Sequence, residues 1–177
     1  MLLKPEKFNK EESEINSMPN QETEGYLEAV VEGVYVTSTG AEAVMLLSTE
    51  EWGDFVLPIW IGMAEALSIQ KAMGQTDFPR PLTHDLLVDI LERLNATIEK
   101  VTIDALVDHT YTATIYLKDN RTGSQHYIDA RPSDAVAVAL RVNAPIFVAS
   151  HLKQYTVSIN ELLGKSNQEE GEEGKSI

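Results

Sequence analysis

The sequence predicts an α+β fold of two similar halves, each made of antiparallel strands that lead into a helix, with the helices packed on the sheet. Three observations carry this. β-branched and aromatic runs recur with short polar turns between them, and short turns favour antiparallel neighbours. The halves repeat in element order: Ala43 to Leu47 (AVMLL) has its counterpart in Ala113 to Leu117 (ATIYL). Glu65-Ala66 likewise falls where Asp134-Ala135 falls, 69 residues on. Finally, Ala135 to Leu140 is apolar on every side, which only a helix wrapped by protein tolerates.

Met1 to Glu24 is rich in Lys, Glu, Asn, Ser and Gln, so it cannot bury enough apolar surface to offset the entropy of ordering. It is predicted to be a solvated acidic tail. From Gly25 the pattern changes. Tyr26 to Val36 reads as a strand, Ser38-Thr39-Gly40 as a turn, and Ala43 to Leu47 as a second strand. Glu50 to Asp54 turns around Gly53, and Phe55 to Ile61 is a third strand. Met63 to Met73 has helical spacing and ends at Gly74. After a loop, Thr83 to Leu94 is a helix with Thr83 as its cap and Asn95 as its stop. Leu86, Leu87, Ile90, Leu91 and Leu94 form its predicted buried stripe, with Asp89, Glu92 and Arg93 facing water.

The second half follows the same plan. Thr97 to Leu106 is a strand, Asp108-His109 a turn, Tyr111 to Leu117 a strand and Asp119 to Ser124 a polar turn. His126 to Asp129 is the strand that enters the apolar helix. Pro132 marks that helix start, because its φ is preset and it lacks an N–H that would go unpaired there. Pro145 to Ala149 is a short strand, and Ser158 to Leu163 a terminal helix ended by Gly164. Residues 165–177 form a second acidic tail, leaving one domain over 25–164.

Composition narrows the chemistry. There is no cysteine, which removes disulfides, zinc-thiolate sites and thiol nucleophiles together and fits a reducing, cytoplasmic compartment. No segment approaches the roughly 20 apolar residues of a membrane span, so no membrane partner is expected. The formal net charge is −14, of which the two tails carry −3 and −2. An acidic body predicts weak nucleic-acid affinity, since that affinity comes from Lys and Arg displacing counterions. It suits magnesium or manganese, which clustered carboxylates hold.

Two stretches share one grammar. Arg80-Pro81-Leu82-Thr83-His84-Asp85 and Asp129-Ala130-Arg131-Pro132-Ser133-Asp134 each place an Arg-Pro pair before a hydroxyl, an Asp and a helix, where backbone N–H groups favour anions. Helix capping accounts for Ser133 and Asp134 but not for Arg131 or Asp129. Carboxylates from Glu65, Asp85, Asp129 and Asp134 converging within about 4 to 5 Å would hold a divalent ion for phosphodiester cleavage. His84 suits proton transfer near neutral pH. Arg80 and Arg131, with the hydroxyls of Thr83 and Ser133, suit phosphate binding. Single residues of these types also serve as structural ion pairs and caps. His109 is expected in a solvent-facing turn, and His126 and His151 have no metal-ligand spacing. Trp52 and Trp60 are assigned to packing rather than to base stacking.

Taken together, LPIWIG with Glu65-Ala66, then RPLTHDLL, then IDARPSDAVAVALR with Pro145-Ile146 resemble the bifunctional nuclease domain family, also catalogued as a domain of unknown function. The resemblance covers roughly Tyr26 to Ala149. It implies metal-assisted nuclease activity, on DNA and RNA, on an α+β fold that tends to form homo-oligomers. On this reading His84, Asp85, Asp129 and Asp134 are the catalytic candidates and Glu65, Asp129 and Asp134 the metal candidates. Arg80, Arg131, Thr83 and Ser133 bind substrate. The rival is a non-enzymatic binding or assembly module whose helix mouths are ion-paired scaffold. The two differ in whether the carboxylates converge on an open cleft or are each consumed by an arginine.

Overall fold

Alternating apolar residues and tight turns build two meanders. The computed structural model describes residues 25–162, so both predicted tails and the end of the predicted terminal helix lie outside the described residues. Strands β1 (Tyr26–Val36), β2 (Ala43–Ser48) and β3 (Phe55–Ile61) pair antiparallel and run into helix α1 (Met63–Ala72). Helix α2 (Thr83–Arg93) intervenes. Strands β4 (Ala96–Val107), β5 (Thr110–Asp119) and β6 (Gln125–Ala130) then repeat the plan and enter α3 (Pro132–Val142). Strand β7 (Ile146–Ala149) joins the halves, antiparallel to β1 and parallel to β4. With a two-residue edge strand β8 (Val157–Ser158) after it, the sheet order is β6-β5-β4-β7-β1-β2-β3-β8, and the fold is α+β as expected. The one parallel pair arises because α3 carries the chain back over the sheet before β7 begins, as a parallel connection requires.

Helix α3 is the centre of the core. Ala135, Val136, Ala137, Val138 and Ala139 have no exposed surface, and α1, α2, β4 and β5 all pack on it. The alternating alanines let these elements approach closely. Its start is as predicted, with Pro132 as the first helical residue, and Asn143 ends it in the left-handed region at φ 54°. Asn95 does the same after α2, at φ 58°.

Four expectations are corrected. The stripe on α2 faces out: Leu86 is 54% exposed, Ile90 44% and Leu94 59%, while Val88 is buried and Leu91 half-buried. The rotation of this helix is decided by polar bonds of His84 and Asp85 to α1 and α3, which turn the opposite side inward. Thr83 is not the cap, since helix residues begin with it and Leu82 precedes them; the Leu82 N–H is instead accepted by Asp85 Oδ2 at 2.6 Å. Ser158 belongs to a two-residue strand, β8 (Val157–Ser158), that pairs with the edge of β3, and helical residues start only at Ile159. Trp52 is 3% exposed, as packing requires, but Trp60 is 64% exposed. Strand alternation explains Trp60: its neighbours Ile59 and Ile61 occupy the core face, so it must point the other way.

Strands β3 and β6 are separated by five others in the sheet, yet the residues after them meet. The sheet curls until Ile61 and Gly62 share a groove with Arg131 and Pro132. This curl brings the first turns of α1 and α3 together.

Candidate active site

Glu65, Asp85 and Asp134 each stand at the third position of a helix, behind Gly62, Leu82 and Arg131 respectively. Carboxylates there are favoured by the free N–H groups of the first turn. The three then differ in what else they hold.

Arg131 is the hinge of the cluster. Its Nε donates to Asp134 Oδ2 at 2.7 Å and its Nη2 to Asp134 Oδ1 at 3.0 Å. The same Nη2 lies 2.9 Å from Glu65 Oε1, so one guanidinium ties the mouths of α1 and α3. Glu65 in turn folds back over its own helix start and lies against Gly62, so that a Cβ there would oblige its carboxylate to shift. Asp134 also accepts from His84, whose Nε2 lies 2.9 Å from Oδ1. Burial works to raise the Asp134 carboxyl, but hydrogen bonds from Arg131 and His84 outweigh it and hold the group below its ordinary value. Asp134 is therefore ionised at neutral pH.

The other nitrogen of His84 is 2.7 Å from Ser68 Oγ, and Ser68 also accepts from Arg141 Nη2 at 3.0 Å. A guanidinium can only donate, so the single Ser68 proton is free for His84 Nδ1. With the Ser68 proton directed at Nδ1, the ring N–H that donates to Asp134 is the one on Nε2. The order Ser68, His84, Asp134 has the connectivity of a nucleophilic triad. Ser68 is only 2% exposed, however, and its oxygen already accepts from a cation, so it orients His84 and does not attack.

Asp85 takes a different part. Lys71 Nζ reaches its Oδ2 at 2.7 Å and Arg141 Nε its Oδ1 at 2.8 Å, with the Leu82 N–H as a third donor. Burial raises its carboxyl; the bonds from Lys71, Leu82 and Arg141 win and place it far below the usual carboxylate range. Asp85 is consumed by structure and locks α1, α2 and α3 together. Ser68, Lys71 and Arg141 were not singled out in the sequence. The signal available was Arg141 at the end of an otherwise apolar helix, where a buried cation demands an anion.

Asp129 does not join. In β6, Ile128 pairs with Ile115 of the core and Asp129 with Thr114, so alternation puts Asp129 on the sheet face away from the helices. The expected convergence of Asp129 with Glu65, Asp85 and Asp134 is thus replaced by a network of Glu65, Arg131, Asp134 and His84. Among the described residues no three His, Asp or Glu side chains gather at metal-ligand spacing. The space between Glu65 and Asp134 is filled by the guanidinium, and this arrangement does not fit a resident divalent ion.

Glu65, Ser68, Thr83, His84, Arg131 and Asp134 line one cavity of about 410 Å³, closed on its apolar side by Leu67, Phe78 and Leu82. Arg80 is exposed in the loop beside it and has no hydrogen bond or ion pair among the described residues. Ser133 is buried and lines a separate groove on the other side of Arg131. The carboxylates thus divide between the two outcomes set out above: Asp85 is spent on cations, while Glu65 and Asp134 share an arginine at the wall of an open cavity.

An α+β domain of two meanders, with an arginine-bridged acid pair and a histidine lining a cavity at its helix mouths, is the class of protein defined here. The model of the bifunctional nuclease domain matches residues 44–159, and the chain belongs to that family. An uncharacterized protein of Mycobacterium tuberculosis is 40% identical over 121 residues, 68% of this chain and 70% of that protein. Bifunctional nuclease 1 of Oryza sativa subsp. japonica is 28% identical over 105 residues, covering 59% of this chain and 32% of its own. Bifunctional nuclease 2 of Arabidopsis thaliana is 26% identical over 113 residues, 62% of this chain and 34% of its own. The match spans about a third of those plant proteins. No described helix is long and apolar enough to cross a membrane.

Proposed function

We propose that this domain hydrolyses phosphodiester bonds of nucleic acid in the cavity between α1, α2 and α3. The observation that carries the reading is the continuous bonded series Glu65, Arg131, Asp134, His84 and Ser68 along one cavity wall, in a chain whose named plant relatives are nucleases. Arg131 Nη1 makes no hydrogen bond among the described residues and is the donor offered to a phosphate, with Arg80 approaching from the loop. Asp134 takes a proton from the attacking water while the water oxygen bonds to phosphorus. The bond from phosphorus to the leaving sugar oxygen breaks, and the proton is returned to that oxygen. His84 acts as a positioning residue, because both its nitrogens are engaged and its Nε2 aims Asp134. Thr83 faces the cavity as a further hydroxyl donor.

The test is cleavage of labelled single-stranded and duplex DNA and RNA by the purified chain. It is run with magnesium, with manganese and with a chelator, so that any divalent requirement is read directly. Absence of cleavage on every substrate and metal condition would count for the rival reading as a binding module.

The outward stripe of α2 supports a second element of the proposal, a homo-oligomer. Leu86, Leu87, Ile90 and Leu94 form a contiguous apolar surface of the sort that marks protein contacts. Its closure on a second copy would bury it. Sedimentation of the parent chain is expected to show an oligomer, and Ile90→Glu a monomer. A monomeric parent at micromolar concentration would overturn this.

A further inference from the structure

The second groove, on the far side of Arg131 from His84, has features the reaction above leaves unused. It measures about 300 Å³, at the lower end of the ~300–1,000 Å³ typical of ligand sites. Trp60 stands at its edge with 64% of its surface exposed, a large aromatic left in water where the strand neighbours Ile59 and Ile61 are in the core. Tyr111 forms another part of the lining, and its ring is braced edge-on by Tyr155 with centroids 6.5 Å apart. His109 adds a third ring from the β4–β5 turn, at φ 63°. Glycine would adopt that backbone without cost, so a ring is carried there against a modest strain. Arg131 lines both this groove and the cavity with His84 and Asp134.

Resting on the nuclease reading, we infer that this groove is a base subsite for single-stranded nucleic acid: one base stacks on Trp60 beside Tyr111 while its neighbouring phosphate lies on Arg131. The acidic charge of the chain favours this division of labour. With a net charge of −14 and few free cations at the site, counterion release supplies little affinity, and stacking, which every base offers, must supply more. A base in the groove has left its stack, so the substrate class is a single strand or a frayed end rather than an intact duplex.

The test compares binding of the full chain to a labelled oligothymidine and to a strand of equal length built from tetrahydrofuran abasic units, followed by fluorescence anisotropy under chelating conditions. Oligothymidine is expected to bind about tenfold or more tightly than the abasic strand. Trp60→Ala is expected to remove that preference and Trp60→Phe to keep most of it, in line with the usual effect of losing one stacking ring. With one or two phosphates engaged, log K should fall with log salt at a slope of about −0.7 to −1.4. Equal binding of the two strands by the unaltered chain, no binding of either, or an unchanged preference in Trp60→Ala would each overturn the subsite. Because Trp60 is a surface residue, melts of both variants should match the parent and confirm folding. Cleavage by the unaltered chain is scored separately. Base-dependent binding without cleavage sinks the nuclease reading and leaves the subsite, whereas cleavage without base preference does the reverse.

Discussion

Asp134→Asn is expected to cleave nucleic acid roughly 10²- to 10⁴-fold more slowly than the parent, the usual cost of removing a group that accepts a proton in the transition state, while remaining folded. The substitution keeps the shape of the side chain. Its amide oxygen can still accept from His84 Nε2 and from Arg131, both of which reach Oδ1. What is lost is one charge and the bond from Arg131 Nε to Oδ2, where the new amide NH2 faces a donor, but that guanidinium is 64% exposed and can turn to water, and such exposed pairs contribute at most about 1 kcal/mol. Rate and stability should therefore separate. The measurement is single-turnover cleavage with thermal melts on the same preparations. Cleavage within a few-fold of the parent would remove Asp134 from the reaction and return it to a purely structural pairing with Arg131. His84→Gln belongs in the same series: as a positioning residue it should lower kcat more than it raises KM and shift the pH profile of Asp134.

Asp85→Ala should act in the opposite sense, lowering stability first. It would leave Arg141, whose side chain is 7% exposed, with no carboxylate partner. Breaking one side of such a buried pair costs about 3 kcal/mol or more, roughly 6–12 °C in Tm for a chain of this size. The effect depends on pH, and its sign is fixed by the direction of the Asp85 shift. The folded carboxyl titrates below its unfolded counterpart, so the unfolded chain binds the proton first as acid is added. The stabilisation is complete above about pH 4 and is lost as pH falls through the depressed folded value. The gap between parent and Asp85→Ala in urea denaturation should accordingly be full at pH 7 and shrink progressively as pH falls below about 4, with part of it still present at pH 3. A constant gap would mean that Asp85 stabilises through packing alone. Asp85→Leu combined with Arg141→Met should recover part of the loss, since a buried pair can be replaced by apolar residues of similar volume.

The local elements of the fold were legible because they depend on neighbours in the sequence. Pro132 starts α3, Asn95 closes α2, and the apolar run from Ala135 lies at the centre of the core, each for reasons contained within a few residues. The repeat was legible too, and it correctly set Glu65 against Asp134 as the early acids of equivalent helices. Which acids meet was not. Asp129 and Asp134 are five residues apart, but a strand's two-residue alternation sends the first to one face of the sheet while the helix turns the second to the other. Similarly, Asp85 and Asp134 occupy the same helical position after similar motifs, and only the packing of α1 and α3 delivers Lys71 and Arg141 to one and leaves the other at an open cavity.

By itself the sequence determined the strands and helices, the repeat, the apolar centre and the family motifs, since each is written in propensity and periodicity over short spans. Only the tertiary structure decided the rotation of α2, the exposure of Trp60 and the pairing of Arg131 with Glu65. Those depend on the curl of the sheet, which brings the ends of β3 and β6 together across five intervening strands, and on ion pairs between residues as far apart as Glu65 and Arg131. The energies that settle such choices are sums over distant partners, and no local pattern carries them.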